Sequence, residues 1–519
     1  MKHILFNILL AASLAITSSS CTDDLDQYPH KETTSKDLYK TVDQYESVLA
    51  KLYASYTVVG QGKGGDNADL PSNNGFDFGR SLFNLQEATT DEVVSTWLEG
   101  DKLTGLTYHS WDANDSWVAD TYYRAYYSIA ICNEFLRQCT DHKLSSFSEA
   151  DQNTLRTFRA EARFIRSYYY FWVLDLFRKG PMVTEENNVG AYIPPVTDAQ
   201  GLFSYIEGEL KACAEDMKPR ATATYGRAPR AAAWMLLSRL YLNAQTYVGK
   251  SYYDECVLYS QKVISEGYTL HNDYTKLFNA DNDKRTDEII LHAVVDATRT
   301  STWGATTALV CGAVSTGCKS TYYNAADYGV ASGWGSMRAQ SQLPSRFESG
   351  DKRFCFFTDQ QTATVENPTD QTQGYIVTKW TNLTDTGEAA SNTASDGVST
   401  DVPIFRLAEA YLNLAEAVVR GGNGATLSEA LDGINKLRDR AGVAALYESD
   451  LTLENLLNER QREMYWENTR RTDLIRYGMF SSANYLWDLK KKAFASKYDY
   501  FPIPQTELTA NPNLTNPEY

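Results

Sequence analysis

The residues in this chain whose chemistry stands out are flat rings, more than acids, bases or metal ligands. There are 35 Tyr, 20 Phe and 10 Trp. Tyr and Trp bury an apolar face while keeping a polar edge in water, which is what a sugar ring demands with its C–H face and rim of hydroxyls. Between about Ala297 and Thr400 such rings stand singly or in pairs (Trp303, Tyr322, Tyr323, Tyr328, Trp334, Tyr375, Trp380) in a stretch rich in Gly, Ser, Thr and Asn. The six His residues form no H-E-x-x-H and no close pair, so no zinc site is visible. Asp281-Asn282-Asp283 begins like a calcium loop but lacks Gly at the sixth position and Glu at the twelfth, and reads as a solvated turn. A glycoside hydrolase needs two carboxylates about 5–10 Å apart, a pairing that 66 acidic residues permit and do not reveal.

The net charge of −17 disfavours nucleic acid and anionic lipid as partners and leaves neutral ligands. Residues 1–20 read as a signal peptide, with Lys2 as the positive flank and Ile4 to Ile16 as an apolar run too short for the ~30 Å core of a bilayer. Small residues then precede Cys21, the expected lipidation site, although Ser18 stands where a lipobox usually has Leu. The alternative is ordinary secretion. Two or more acyl chains would hold the protein firmly on a membrane, with residues 21–40 as the tether. Cys132 and Cys139 lie about 10 Å apart along one helix, too far to bridge. Cys213 and Cys256 read as core residues. Only Cys311 and Cys318 could pair across a Gly-rich loop.

Apolar residues at three- and four-residue steps predict helices over 42–58 and 114–139. Ser148-x-x-Asp151 predicts a capped helix running to Phe177 and stopped by Gly180-Pro181. Asp198, Pro229 and Ser251 open further helices, and 402–420, 426–440 and 452–466 are helices near the C-terminus. Residues 288–295 read as a strand. Arg159-Ala-Glu-Ala, Arg230-Ala-Ala-Ala and Arg406-Leu-Ala-Glu-Ala put small residues on one helix face, which suits stacked helix pairs. The expected fold is mainly α, a degenerate tetratricopeptide-like scaffold with a long irregular insert and little β structure. Its regions are 41–296 (helical, with binding loops), 297–401 (the aromatic-rich insert) and 402–519 (helical).

Several segments, in order, resemble the SusD/RagB family of Bacteroidetes outer-membrane lipoproteins. They are Cys21 followed by Asp24-Leu25-Asp26-Gln27-Tyr28-Pro29, then Thr90-Asp91-Glu92, Ile131 to Leu136, Arg159 through Pro181, Arg406 to Ala417, Glu459 to Glu463, Arg471 to Gly478 and Phe501 to Leu508. The resemblance implies four degenerate helix pairs with loops packed on one side and no enzymatic activity. It implies oligosaccharide binding at the cell outer membrane, as a lid on a SusC-like TonB-dependent transporter, with no cofactor. A receptor for peptide or glycoprotein fragments is the alternative, and a lipid-anchored glycoside hydrolase a more remote one.

On that resemblance Trp97, just after Thr90-Asp91-Glu92, falls where relatives present an aromatic platform; it either stacks on sugar or anchors its loop. Trp303, Tyr322, Tyr323 and Trp334 lie in the insert, the other source of ligand contacts, with about two of the four expected to face ligand. Arg338, Asp66 and Asn73, with Asn74 beside it, are the candidate hydrogen-bond partners of hydroxyls. The runs 459–463 and 471–476 read as structural charge pairs.

Overall fold

The computed structural model describes residues 38–60, 62, 68–70, 74–187, 190, 193–391 and 397–519. Cys21, Asp66 and Asn73 therefore lie outside the described residues. The chain divides into two units, 1–48 and 49–519. Of the first, residues 38–48 are described. There Gln44 Oε1 accepts from the backbone N–H of Lys40 and Thr41 at 2.7 and 3.2 Å, where helix α1 (Val42–Ala54) begins.

The second unit is mainly helical. After α2 (Phe78–Gln86) come α3 (Ser116–Gln138), α4 (Glu149–Phe177), α5 (Ala199–Ala214), α6 (Arg230–Leu242) and α7 (Tyr253–Ile264). The insert carries α8 (Ala305–Ala313), and α9 (Leu407–Val419), α10 (Leu427–Ala441) and α11 (Leu453–Met464) follow. Short polar side chains start three of these helices where the sequence placed them, while α6 follows Pro229 and α7 follows Tyr252, one residue after the expected Ser251, without a side-chain cap. Ser148 Oγ accepts from Asp151 N and Asp198 Oδ1 from Gly201 N, and Thr426 and Glu429 form a reciprocal capping box. Successive helices pack as neighbours: α3 on α4, α4 on α5, α5 on α6, α6 on α7, α7 on α9, and α9 on α10 and α11. The small residues foreseen for this packing are buried, among them Ala160 and Ala162 in α4, Ala231 to Ala233 in α6 and Ala408 and Ala410 in α9. At Gly433 in α10 a Cβ would stand 2.8 Å from the Tyr411 ring of α9, so the absent side chain is what lets these helices approach.

Two expectations fail for identifiable reasons. Residues 402–406 begin a strand, not a helix. Val402–Arg406 pairs antiparallel with Ile289–Ala293, and the two strands stand at the two ends of the insert in sequence. Inside the insert, α8 is buried along its whole length, so it shows no polar face and hence no amphipathic period. Cys311 sits in this helix, and no disulfide joins it to Cys318. The insert shares its apolar core with Phe83 of α2 and with Tyr465 and Trp466 just after α11. Asp281-Asn282-Asp283 is less solvated than expected. Asn282 is buried, its Nδ2 donating to the carbonyls of Leu277 and Asp401 at 3.0 Å each.

The runs read as structural are so. Glu463 Oε1 accepts from Arg406 Nη1 at 2.5 Å and from Arg440, and Glu463 Oε2 meets Arg353 Nη1 at 3.2 Å. Glu459 pairs with Arg353, Arg438 and Arg462 at 2.6–2.9 Å. Arg476 joins Glu416 and Asp473. Apart from Glu459–Arg462 and Asp473–Arg476, which lie within one helix each, these pairs cross between α9, α10, α11, the strand end at Arg406, the insert and the short helix Arg470–Arg476.

Candidate functional site

Four segments meet on the loop side of α2. The first is the N-terminal end of that helix. Asp77 caps it, accepting from Arg80 N at 2.9 Å. The same carboxylate accepts from Thr302 Oγ1 at 3.1 Å and from Ala305 N at 3.2 Å, which pins the turn that carries Trp303. Gly304 is required there, because a Cβ would lie 1.6 Å from Asp77 Oδ2. Burial raises the Asp77 carboxyl above its ordinary value, opposed by these hydrogen bonds and by Arg124.

A two-residue ladder brings the other rings together. Strand Val94–Ser95 pairs antiparallel with Met337–Arg338, with Val94 opposite Arg338 and Ser95 opposite Met337. The ladder continues through Thr96 N, which donates to Ser336 O at 2.8 Å. One step further along this antiparallel register, Trp97 comes level with the Trp334–Gly335 turn. Their rings are 6.5 Å apart at 27°. Trp334 is itself held by its N–H donating to Cys311 O of α8 at 2.7 Å.

Arg80 links the rings. Its guanidinium lies 3.7 Å from the Phe76 ring centroid and 5.4 Å from that of Trp334, while Phe76 stacks parallel on the buried Trp117 at 5.6 Å. Arg80 Nη1 donates to Trp303 O at 3.0 Å and Nη2 to Asp101 Oδ2 at 2.9 Å. Asp101 O in turn accepts from Trp117 Nε1 at 2.6 Å. Burial lowers the Arg80 guanidinium and raises the Asp101 carboxyl, with their mutual attraction opposing both shifts. The outcome is a layered aromatic surface with an ion pair at its edge. Trp97 is 37% exposed, Trp303 48%, and Trp334 half-buried. Such a surface offers apolar faces for the C–H side of a ring and charged edges for hydroxyls.

Of the residues singled out from sequence, Trp97 and Trp334 bring their rings together here, and Trp303 is tied to the same place through its backbone carbonyl, which accepts from Arg80. Tyr322 is 82% exposed but packs on no other ring among the described residues. Tyr323 belongs to the core of the insert. Its ring meets Phe357 edge-on and Tyr328 at a tilt, its hydroxyl accepts from Ser315 N at 2.7 Å, and burial pushes its phenol up to about 12. Arg338 is corrected outright. It is 1% exposed, and its guanidinium donates inward to the carbonyls of Gln373, Pro368 and Asp370 and to Thr96 Oγ1. It therefore supports the ladder from behind, with four of its five N–H hydrogens spent on the protein and none of the group presented to a ligand. Asn74 serves the start of α3, accepting from Ser116 Oγ and donating to Asp120. Phe76, Arg80 and Asp101 were not foreseen. The one available signal was Asp77 followed by Arg80, a helix start amid a Gly- and Asn-rich loop.

Comparison with known proteins gives consistent findings. The model of the SusD family matches residues 265–519. The chain is 33% identical to Starch-binding protein SusD of Bacteroides thetaiotaomicron, over 99% of this chain and 98% of that protein. It is 22% identical to a SusD-like protein of Bacteroides ovatus, over 90% and 82%. Among solved structures, a SusD superfamily protein from Parabacteroides distasonis superposes with a TM-score of 0.71 at 22% identity, covering 94% of this chain and all of that one. Surface glycan-binding protein A from Bacteroides thetaiotaomicron, in complex with laminarihexaose, gives 0.70 at 18%, covering 92% and 99%. These two likenesses establish the fold, and two of the four relatives, Starch-binding protein SusD and surface glycan-binding protein A, are named as binding proteins.

Proposed function

Because this chain belongs to the SusD family, we propose that it is a cell-surface glycan receptor, which captures neutral oligosaccharides and passes them to a SusC-like TonB-dependent transporter. Cys21 would carry its lipid anchor at the outer membrane. The observation that supports glycan capture most directly is the exposed Trp97 ring backed by Trp334. Burying a sugar's C–H face contributes about 25 cal/mol per Å², roughly 1–3 kcal/mol per ring. Two or three rings then reach roughly micromolar to millimolar affinity.

The test is electrophoresis through gels loaded with starch, laminarin and other neutral polysaccharides. At least one polymer should retard the protein, and Trp97→Ala should weaken binding by roughly tenfold. If no polysaccharide retards the chain while peptides bind it, the glycan reading fails. New reducing ends in the same mixtures would make it an enzyme instead. The transporter partner is tested separately, by co-purification with the tagged receptor from solubilised outer membranes.

A further inference from the structure

The loop from Met479 to Lys490 lies away from the rings, yet one of its side chains has an unusual environment. Lys490 is buried, and its Nζ meets four carbonyl oxygens of its own loop: Met479 at 2.9 Å, Phe480 at 2.6 Å, Ser482 at 2.6 Å and Tyr485 at 2.8 Å. An ammonium has three hydrogens to donate. Four oxygens at nearly one distance resemble the coordination of a spherical cation, as where backbone carbonyls replace an ion's hydration shell. The Trp487 and Phe494 rings stand 4.6 and 5.2 Å from Nζ. Asp499 and Asp91 act on it only from longer range.

The loop so gathered grips both strands of the ladder that carries the rings. Tyr485 OH donates to Asp91 Oδ2 at 2.5 Å. Asp488 accepts from Ser341 N, Ser341 Oγ and Val365 N at 2.7–3.0 Å. Leu489 N donates to Gln340 Oε1 at 3.1 Å, and Gln340 Nε2 spans to Thr90 O and Val93 O at 2.7 and 2.9 Å. Residues 90–93 lead into Val94–Ser95, and 340–341 follow Met337–Arg338.

We propose that Lys490 is a positioning residue for the Trp97–Trp334 platform: its ammonium is the internal cation around which the 479–490 loop folds, and the cage left by removing it takes up a small monovalent cation. The platform half of this rests on the glycan reading; the cage half does not.

Lys490→Ala is therefore compared with the parent protein at equal ionic strength in N-methylglucamine, potassium and methylammonium chlorides, reading both melting temperature and glycan affinity. In N-methylglucamine the variant should melt lower and bind glycan roughly tenfold more weakly. Potassium or methylammonium, which match an ammonium in size and charge, should restore both, while the parent is indifferent to the salt. A variant equally impaired in all three salts, or a parent that responds alike, overturns the cage. If the melting temperature is rescued and glycan affinity is unchanged throughout, the cage stands and the positioning role falls. If the parent binds no glycan at all, the glycan reading fails while the melting data still judge the cage. Should Lys490→Ala not fold, Tyr485→Phe keeps the cage but cuts the link to Asp91. It should weaken glycan binding with no dependence on the salt, and unaltered binding would again remove the positioning role.

Discussion

Buried guanidinium groups are held in two different ways in this molecule. Around Glu463, Arg353, Arg406 and Arg440 converge on carboxylates of α11 and its neighbours. The arginines hold the Glu459 carboxyl down at about 2 and that of Glu463 lower still. Behind the ring platform, Arg338 is as deeply buried but is met by backbone carbonyls and one hydroxyl, with Asp370 acting on it only from a distance. Burial lowers its guanidinium to about 10. The difference follows from the backbone. Helices use their own carbonyls in their ladders, so a cation between them must find a carboxylate. The insert has few ladders, and its carbonyls need donors. One set uses ion pairs to join helices to one another and, through Arg353, to the insert; the other uses a cation to order chain that has little regular structure.

The sharpest way to break that contrast is Glu463→Ala. It leaves three guanidinium groups without their shared carboxylate, and losing one partner of a buried ion network costs about 3–5 kcal/mol. Chemical denaturation should show that loss, while the folded fraction keeps its glycan affinity. Arg338→Met should invert the pattern. It strands carbonyls but no charge, so the stability cost should be smaller, about 1–3 kcal/mol. Glycan affinity should fall, because Thr96 adjoins Trp97 and Arg338 lies on the strand opposite. If both substitutions moved stability and affinity in the same proportion, the two regions would not differ as described.

Helix starts were legible in the sequence because a cap is a local contract between residues three apart, as with Ser148 and Asp151 or Thr426 and Glu429. The strand at Val402–Arg406 was not, since its partner lies more than a hundred residues earlier and its own residues fit a helical step equally well. Helix α8 was hidden because burial on every side erases periodicity. The rings were visible as a kind of residue, and of the five Trp97 and Trp334 pair, with Trp303 tied beside them through its carbonyl. Which ones do so depends on a ladder two residues long, whose register no composition encodes. Arg338 was misassigned for a related reason: a lone Arg in an irregular segment looks the same in sequence whether it points at solvent or at carbonyls.

The smallest effect concerns a pair of acids between these regions. Glu87 at the end of α2 and Glu92 just before Val94 are both buried, and each carboxyl acts on the other. Their outer oxygens accept from the backbone after α11, Glu87 Oε1 from Thr469 N at 3.0 Å and Glu92 Oε2 from Trp466 N at 2.9 Å. Burial raises the Glu92 carboxyl to about 7, with Asp91 adding to the rise and Arg470 opposing it; Glu87 is also raised well above its ordinary value, by burial and then by Glu92. A carboxyl whose value is higher when folded binds protons more tightly in the native state. Its stabilising effect is full below pH 4.5 and is lost as pH climbs through about 7. This slope is opposite in sign to that of Glu459, whose contribution is present above pH 4.5 and lost as pH falls through about 2. Glu92→Gln keeps a hydrogen-bonding group in place without the titration. Denaturation between pH 5 and 8 should therefore show the parent losing about 1–2 kcal/mol that the variant does not lose. Equal slopes would mean that Glu92 is already ionised in the folded protein at pH 5, the attraction of Arg470 outweighing the burial.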